Sequence, residues 1–154
     1  MDDFRRIVDV NLSGAFICAE AAARQIVKAD VSASIVFIAS ISAHNSNKGI
    51  NTAAYNCSKS GVLQLARSLA AEWGASPKYP LIRVNTLSPG YIRTPLTNGA
   101  LARPSLDAEW SNDNMMGRLS YVDEYRGPIL YLLSDASSFM TAADLIVDGG
   151  HTGW

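Results

Sequence analysis

Hydrophobic positions along the chain follow two different periods. Ser34-Ile35-Val36-Phe37-Ile38-Ala39 is a nearly unbroken apolar run rich in β-branched residues, Leu81 to Leu87 is a second strand-length segment, and Ala143-Asp144-Leu145-Ile146-Val147 is a third. Short runs of this kind suit strands covered on both faces, as in a parallel sheet. Elsewhere the spacing becomes three and four. Phe4, Ile7, Val8, Ala15, Phe16, Ala19, Ala23, Ile26 and Val27 predict a long helix from Asp3 to about Lys28, interrupted by Asn11. Val62, Leu63, Leu65, Ala66, Leu69, Ala70 and Trp73 predict a second helix, which opens with Tyr55 and Lys59 and ends near Gly74. A third pattern runs from Tyr121 to Leu133, disturbed near its start by Gly127-Pro128. Pro77-Lys78-Tyr79-Pro80 reads as a turn. From Thr94 to Arg118 the periodicity fades, and an irregular region is expected, with Leu96, Leu101, Trp110, Met115 and Met116 among Asn98, Asn112 and Asn114. About three parallel strands alternating with helices make an α/β fold.

Composition narrows the function. A chain of 154 residues that is 48% hydrophobic is in the range of one globular domain with a real core. Its 13 Lys and Arg balance 14 Asp and Glu without a basic cluster, which argues against nucleic acid or an anionic membrane and for a small neutral partner. Cys18 and Cys57 form no disulfide framework or CxxC pair, as suits a reducing compartment. The chain opens on Asp2-Asp3, and no stretch reaches the roughly 20 apolar residues needed to cross a bilayer, so a soluble, cytoplasmic protein is expected. His44 and His151 lack metal-ligand spacing, and they read as surface or loop histidines with no catalytic metal.

The chemistry-bearing stretch runs from Ser40 to Lys59, where a strand ends in hydroxyls and a helix begins with Tyr55 and Lys59. Four positions apart on a helix, these two side chains share a face. A phenol is ordinarily a poor acid at neutral pH, and a cation within reach stabilises its phenolate, which makes it a usable general acid or base. The same spacing also fits an aromatic ring packed under a lysine stem. Asn11 likewise fits a buried amide bonded to its surroundings.

Ser40, Tyr55-Asn56-Cys57-Ser58-Lys59, Asn11 in Val10-Asn11-Leu12-Ser13-Gly14 and Asn85-Thr86-Leu87-Ser88-Pro89-Gly90 together resemble the short-chain dehydrogenase/reductase family. The resemblance implies Tyr55 as proton donor or acceptor, Ser40 as holder of the substrate oxygen, and Lys59 as both modulator of the tyrosine and ligand of the nicotinamide ribose. Asn11 would hold a water linking the lysine to solvent. Pro89, Gly90, Ile92 and Thr94 would meet the nicotinamide and its carboxamide. Ser42, thirteen residues before Tyr55, competes with Ser40, fifteen before it; the end of the strand favours Ser40. A similar Ala-Ser-x-Ser segment in fungal polyol and sugar reductases suggests a sugar or polyol substrate, with NADP or NAD as cofactor and NADP preferred. Residues 94–118 would cover the substrate as a mobile lid whose amides meet hydroxyls, or form a plain surface loop.

Departures from the family pattern are Met115-Met116 where Pro-x precedes Gly117-Arg118, and Ala142 after Thr141 where glycine is usual. Val147-Asp148-Gly149-Gly150 matches the family, where it lies near the subunit interface of a homo-oligomer. Nucleotide-sugar epimerases share Tyr-x-x-x-Lys, but this ending and Pro89-Gly90 fit them less well. No glycine-rich phosphate-binding turn occurs in the 154 residues. The fold expected is a partial Rossmann-like, doubly wound parallel sheet lacking the N-terminal glycine-rich βαβ unit, the later portion of the family's domain. The chain is then a truncated product or one segment of a longer protein, with a bare sheet edge and poor cofactor affinity. An alternative role is a non-catalytic partner acting through subunit pairing.

Overall fold

The computed structural model describes residues 1–154. Its centre is a three-stranded parallel sheet in the order β1-β2-β3, with β1 at Ala33–Ile38, β2 at Ile82–Pro89 and β3 at Asp144–Val147. Ala33 to Ile38 pair with Ile82 to Leu87, and Thr86 to Pro89 pair with Asp144 to Val147. All three expected strands are present, although β2 continues through Ser88 and Pro89. Proline is tolerated there because it ends the strand.

Helices lie on both faces, which explains why β2 is buried along its whole length. Alternate residues point to opposite sides. Ile82 and Val84 join a cluster with Ala19, Ala23, Val62, Ala66 and Leu69 from α2 (Gly14–Ala29) and α3 (Ala53–Glu72). Leu87 packs on the other side against Tyr125 and Leu132 of a short 3₁₀ turn (Val122–Tyr125) and α6 (Arg126–Leu133). Pro128 causes no break, because it falls within the first turn of α6, where an amide hydrogen is dispensable. No helix is long and apolar enough to cross a membrane.

Two departures from the sequence reading concern helices. The long N-terminal helix is divided into α1 (Asp2–Val8), a π-helical stretch at Asp9–Ser13 and α2. The region read as irregular contains α4 (Asn98–Leu101) and α5 (Pro104–Asn112). Pro104 starts α5 with its backbone angle already set, and Leu106 and Trp110, one turn apart, are buried against Leu119. Arg93 clamps the element from outside with two bonds to Asp107, of 2.9 and 3.2 Å.

Ala142 adopts φ +58°, a left-handed conformation in which its Cβ is crowded, while its N–H bonds Val84 O at 2.8 Å. Ala142→Gly is therefore expected to stabilise the fold by about 0.5–1 kcal/mol, read from urea denaturation. On the surface, Arg118 grips Glu124 with two bonds of 2.6 and 2.8 Å, and the N–H of Tyr121 adds a third. These bonds hold the Glu124 carboxyl down at about 2. Because the folded value lies below the unfolded one, the pair's contribution is complete above about pH 4.5 and fades as pH falls toward 2. NMR titration of the Glu124 side-chain carbon checks this.

Candidate active site

β1 and β2 are neighbours and parallel, so the chain leaves both at the same rim of the sheet, where open α/β folds gather ligands. A cavity of about 440 Å³ opens there. Ser40, Tyr55 and Lys59 line it, and so do Pro89, Gly90, Ile92 and Thr94. Asn11 does not.

Ser40 ends the β1 run in extended backbone, and its Oγ accepts the N–H of Ser42 at 3.1 Å, which caps the 3₁₀ turn Ile41–Ala43. Ser42 also lines the cavity, and no protein group hydrogen-bonds its hydroxyl. α3 begins at Ala53, so Tyr55 and Lys59 sit in its first two turns and project from one face. The Lys59 ammonium lies 5.7 Å from the centre of the Tyr55 ring and donates to Ile38 O at 2.8 Å. Burial pushes its pKa below the ordinary lysine value. That single backbone bond leaves two of its three N–H donors without a protein acceptor, on a side chain that lines the cavity.

Asn11 lies behind these residues. Its Nδ2 donates to Ser58 Oγ at 3.1 Å, and Ser58, fully buried, donates to Tyr55 O at 2.7 Å. The π stretch that carries Asn11 packs closely on α3: a Cβ at Gly61 would come within 2.8 Å of Leu12 Cδ2. Asn11 thus braces the helix that presents Tyr55. Widened π turns set backbone carbonyls off the α-helical ladder and recur at functional sites.

Gly90 meets a second constraint. A Cβ there would come within 2.8 Å of Asp148 Cα, and Gly90 N bonds Val147 O at 3.0 Å. The close approach that requires glycine is therefore to β3's exit, which holds the Pro89-Gly90 turn at the rim. Burial raises the Asp148 carboxyl, but hydrogen bonds from Thr152 and Gly150 outweigh it and keep the group below its ordinary value.

The free donors of Lys59 and the neighbouring phenol fit the hydroxyls of a ribose, and of the Ile92-to-Thr94 amides the Ile92 N–H is the one open to a carboxamide, since Arg93 N donates to Ser120 O and Thr94 N to Thr97 Oγ1. Nothing in the 154 residues offers a glycine-rich turn to a pyrophosphate. Asn98, Asn112 and Asn114 do not reach the cavity. Asn114 is buried, bonding Asp148 O at 2.9 Å and Met116 N at 3.0 Å. The cavity's amide is instead Asn47, accompanied by Thr52 and Tyr91, which sequence reasoning did not assign to the site, and by Trp110 from the 94–118 segment. His44 is tied to Asp144, with its Nε2 2.7 Å from Oδ2, rather than free in its loop.

The family model for enoyl-(acyl carrier protein) reductase matches residues 1–152. A short-chain dehydrogenase/reductase named notP′ from Aspergillus versicolor is 56% identical over 98% of this chain and 52% of its own length. The chain belongs to the short-chain dehydrogenase/reductase family. Among other members, the ribulose-forming D-arabinitol 2-dehydrogenase of Candida tropicalis is 45% identical over 96% of this chain and 52% of its own. The crystal structure of a gluconate 5-dehydrogenase from Burkholderia cenocepacia, in complex with NADP and tartrate, superposes with a TM-score of 0.90 at 31% identity. It is matched over 99% of this chain and 57% of that one. The chain spans about half the length of the curated relatives it matches. Of the cavity residues that the sequence pattern singled out in this short-chain dehydrogenase/reductase domain, Tyr55 and Lys59 lie on α3 and Pro89 ends β2, whereas Ser40 and Ser42 follow β1 and Gly90, Ile92 and Thr94 follow β2.

Proposed function

We propose that this protein is an NAD(P)-dependent oxidoreductase, or the part of one that carries the proton-transfer groups, interconverting a secondary alcohol and a carbonyl on a sugar or polyol. The observation that carries this reading is the meeting of Ser40, Tyr55 and Lys59 in one cavity beside the Pro89-Gly90 turn. The residues 1–154 correspond to the later portion of the family's Rossmann-like domain, with 94–118 forming the substrate-side wall.

A bound nicotinamide, NADP in preference to NAD, supplies hydride transfer. The chain's own residues handle the oxygen. Tyr55 Oη gives its proton to the carbonyl oxygen in reduction and takes it back in oxidation, while Ser40 Oγ orients that oxygen by a hydrogen bond. Lys59 stabilises negative charge on the phenol oxygen as the proton leaves, and it also holds the ribose. Asn11 positions α3 and supports a water path from Lys59 to solvent. The similarity to D-arabinitol 2-dehydrogenase and to an NADP-bound gluconate 5-dehydrogenase supports both the substrate class and the cofactor.

Val10 and Ile17, 69% and 62% exposed on the N-terminal helices, support pairing of subunits into a homo-oligomer. Two exposed free thiols, Cys18 and Cys57, fit a reducing cytoplasm. The test is nicotinamide absorbance with NADPH and NADH against a panel of ketoses and polyols, with light scattering on the same sample. Oxidation of NADPH dependent on a ketose is expected. A protein that assembles and binds NADPH but turns over neither class refutes the catalytic reading and favours the non-catalytic pairing role.

A further inference from the structure

We propose that Tyr91 determines specificity for hydroxylated substrates, its phenolic O–H donating a hydrogen bond to a hydroxyl oxygen of the bound substrate while Asn47, Thr52 and Trp110 hold it in place. This deepens the alcohol/carbonyl reading above and rests on it.

Tyr91 directly follows the Pro89-Gly90 turn, so its backbone is fixed by the junction of β2 with the exit of β3. Its ring is fixed as well. It stacks on Trp110 with centroids 3.9 Å apart and planes within 6°, and its other contact is an edge-on one with His151 at 5.1 Å. A ring pinned in this way loses little further freedom when a ligand arrives, so whatever its polar tip gains is retained.

The tip has one partner. Thr52 Oγ1 donates to Asn47 Oδ1 at 3.0 Å, which orients the amide, and Asn47 Nδ2 donates to the Tyr91 hydroxyl at 3.0 Å. The phenol therefore accepts from the protein and donates to no protein group, although it has a proton to give. Asn47, Thr52, Tyr91 and Trp110 all line the cavity that holds Tyr55. Burial raises the Tyr91 pKa, the Asn47 bond opposes this, and the carboxylates of Asp113 and Glu109 reinforce it; the net shift is upward. The phenol thus stays protonated in use. Lys59 stands beside the Tyr55 ring, and Tyr91 has no such ammonium: its task is to offer a proton without releasing it.

A half-buried donor with no acceptor is costly to leave unpaired, so a substrate bearing an oxygen at that point is favoured over one without. A hydrocarbon chain would leave the donor unpaired, whereas a polyol chain would satisfy it.

The decisive experiment compares the full chain with its Tyr91→Phe variant, which keeps the aromatic stack and deletes the donor. Both are supplied with NADPH and assayed on D-ribulose and on 2-pentanone, a ketone of the same length without hydroxyls. Tyr91→Phe is expected to lower kcat/KM for ribulose by about 10–100-fold, chiefly through KM, and to leave 2-pentanone within about twofold. Asn47→Ala, which frees the hydroxyl without removing it, is expected to give a smaller loss with the same substrate dependence, and it decides the matter if Tyr91→Phe does not fold. Equal losses on both ketones, or no loss on ribulose, would overturn the assignment while leaving the alcohol/carbonyl reading intact. Absence of turnover on every ketose and polyol by the unaltered protein would sink that reading, and the role of Tyr91 with it.

Discussion

Tyr55→Phe is expected to lower turnover by about three orders of magnitude while leaving the thermal midpoint nearly unchanged. The Tyr55 phenol has an ammonium beside it in the cavity, 5.7 Å from ring centre to Nζ. Losing a positioned general acid costs roughly 10²–10⁴ in rate, and a thousandfold loss corresponds to about 4 kcal/mol of barrier. Phenylalanine fills the same space, and no hydrogen bond within the protein uses the Tyr55 hydroxyl. The bond that Tyr55 makes through its carbonyl, from Ser58, is backbone and survives the change. The discriminating measurement is kcat on a ketose alongside circular dichroism of the same preparation. Retained turnover would remove Tyr55 from the chemistry, and joint loss of activity and helix signal would make it a packing residue.

The second large effect is on stability and lies far from the cavity. Arg83 is 9% exposed in the middle of the sheet and has no carboxylate partner. Its guanidinium instead donates to Ser134 O and Met140 O at 3.1 Å, to Ser137 Oγ at 3.0 Å and to Leu132 O at 3.5 Å. These acceptors cluster where α6 ends, at the negative pole of its dipole. The planar fork thus closes a helix C-terminus and the following turn onto β2. Arg83→Met is expected to lower unfolding free energy by about 3 kcal/mol, because several buried oxygens lose their donor at once. Arg83→Lys should recover less than half of that, since a single ammonium cannot span the same acceptors. Urea denaturation of both variants tests the claim; a change under about 1 kcal/mol for Arg83→Met would mean that water replaces the guanidinium.

The strands and the long helices were legible because each announces itself within a few residues. Ile35 to Ala39 is a nearly unbroken apolar run, Leu81 to Leu87 sets Ile82 and Val84 on one covered face and Leu87 on the other, and Val62 to Trp73 keeps helical spacing since one face meets the sheet. The region from Thr94 to Arg118 was misread for a physical reason. Its helices are four and nine residues long, too short for several turns of periodicity, although Pro104 and the Leu106–Trp110 spacing marked α5. The π stretch at Asp9–Ser13 left no mark beyond Asn11 itself; it lies where Leu12 seats closely against Gly61, a contact between residues 49 positions apart that hydrophobic spacing does not report.

The amino-acid sequence by itself determined the α/β order and the serine, tyrosine and lysine of the cavity, since a strand end followed by Tyr-x-x-x-Lys is a local arrangement. The tertiary structure alone decided the rest of the wall. Asn47 and Tyr91 meet from 44 positions apart, and Arg83 finds acceptors 49 to 57 positions away. Hydrophobic periodicity reports which side of an element is covered. Which polar group waits on the far side depends on how the sheet register and the helix ends bring distant loops together.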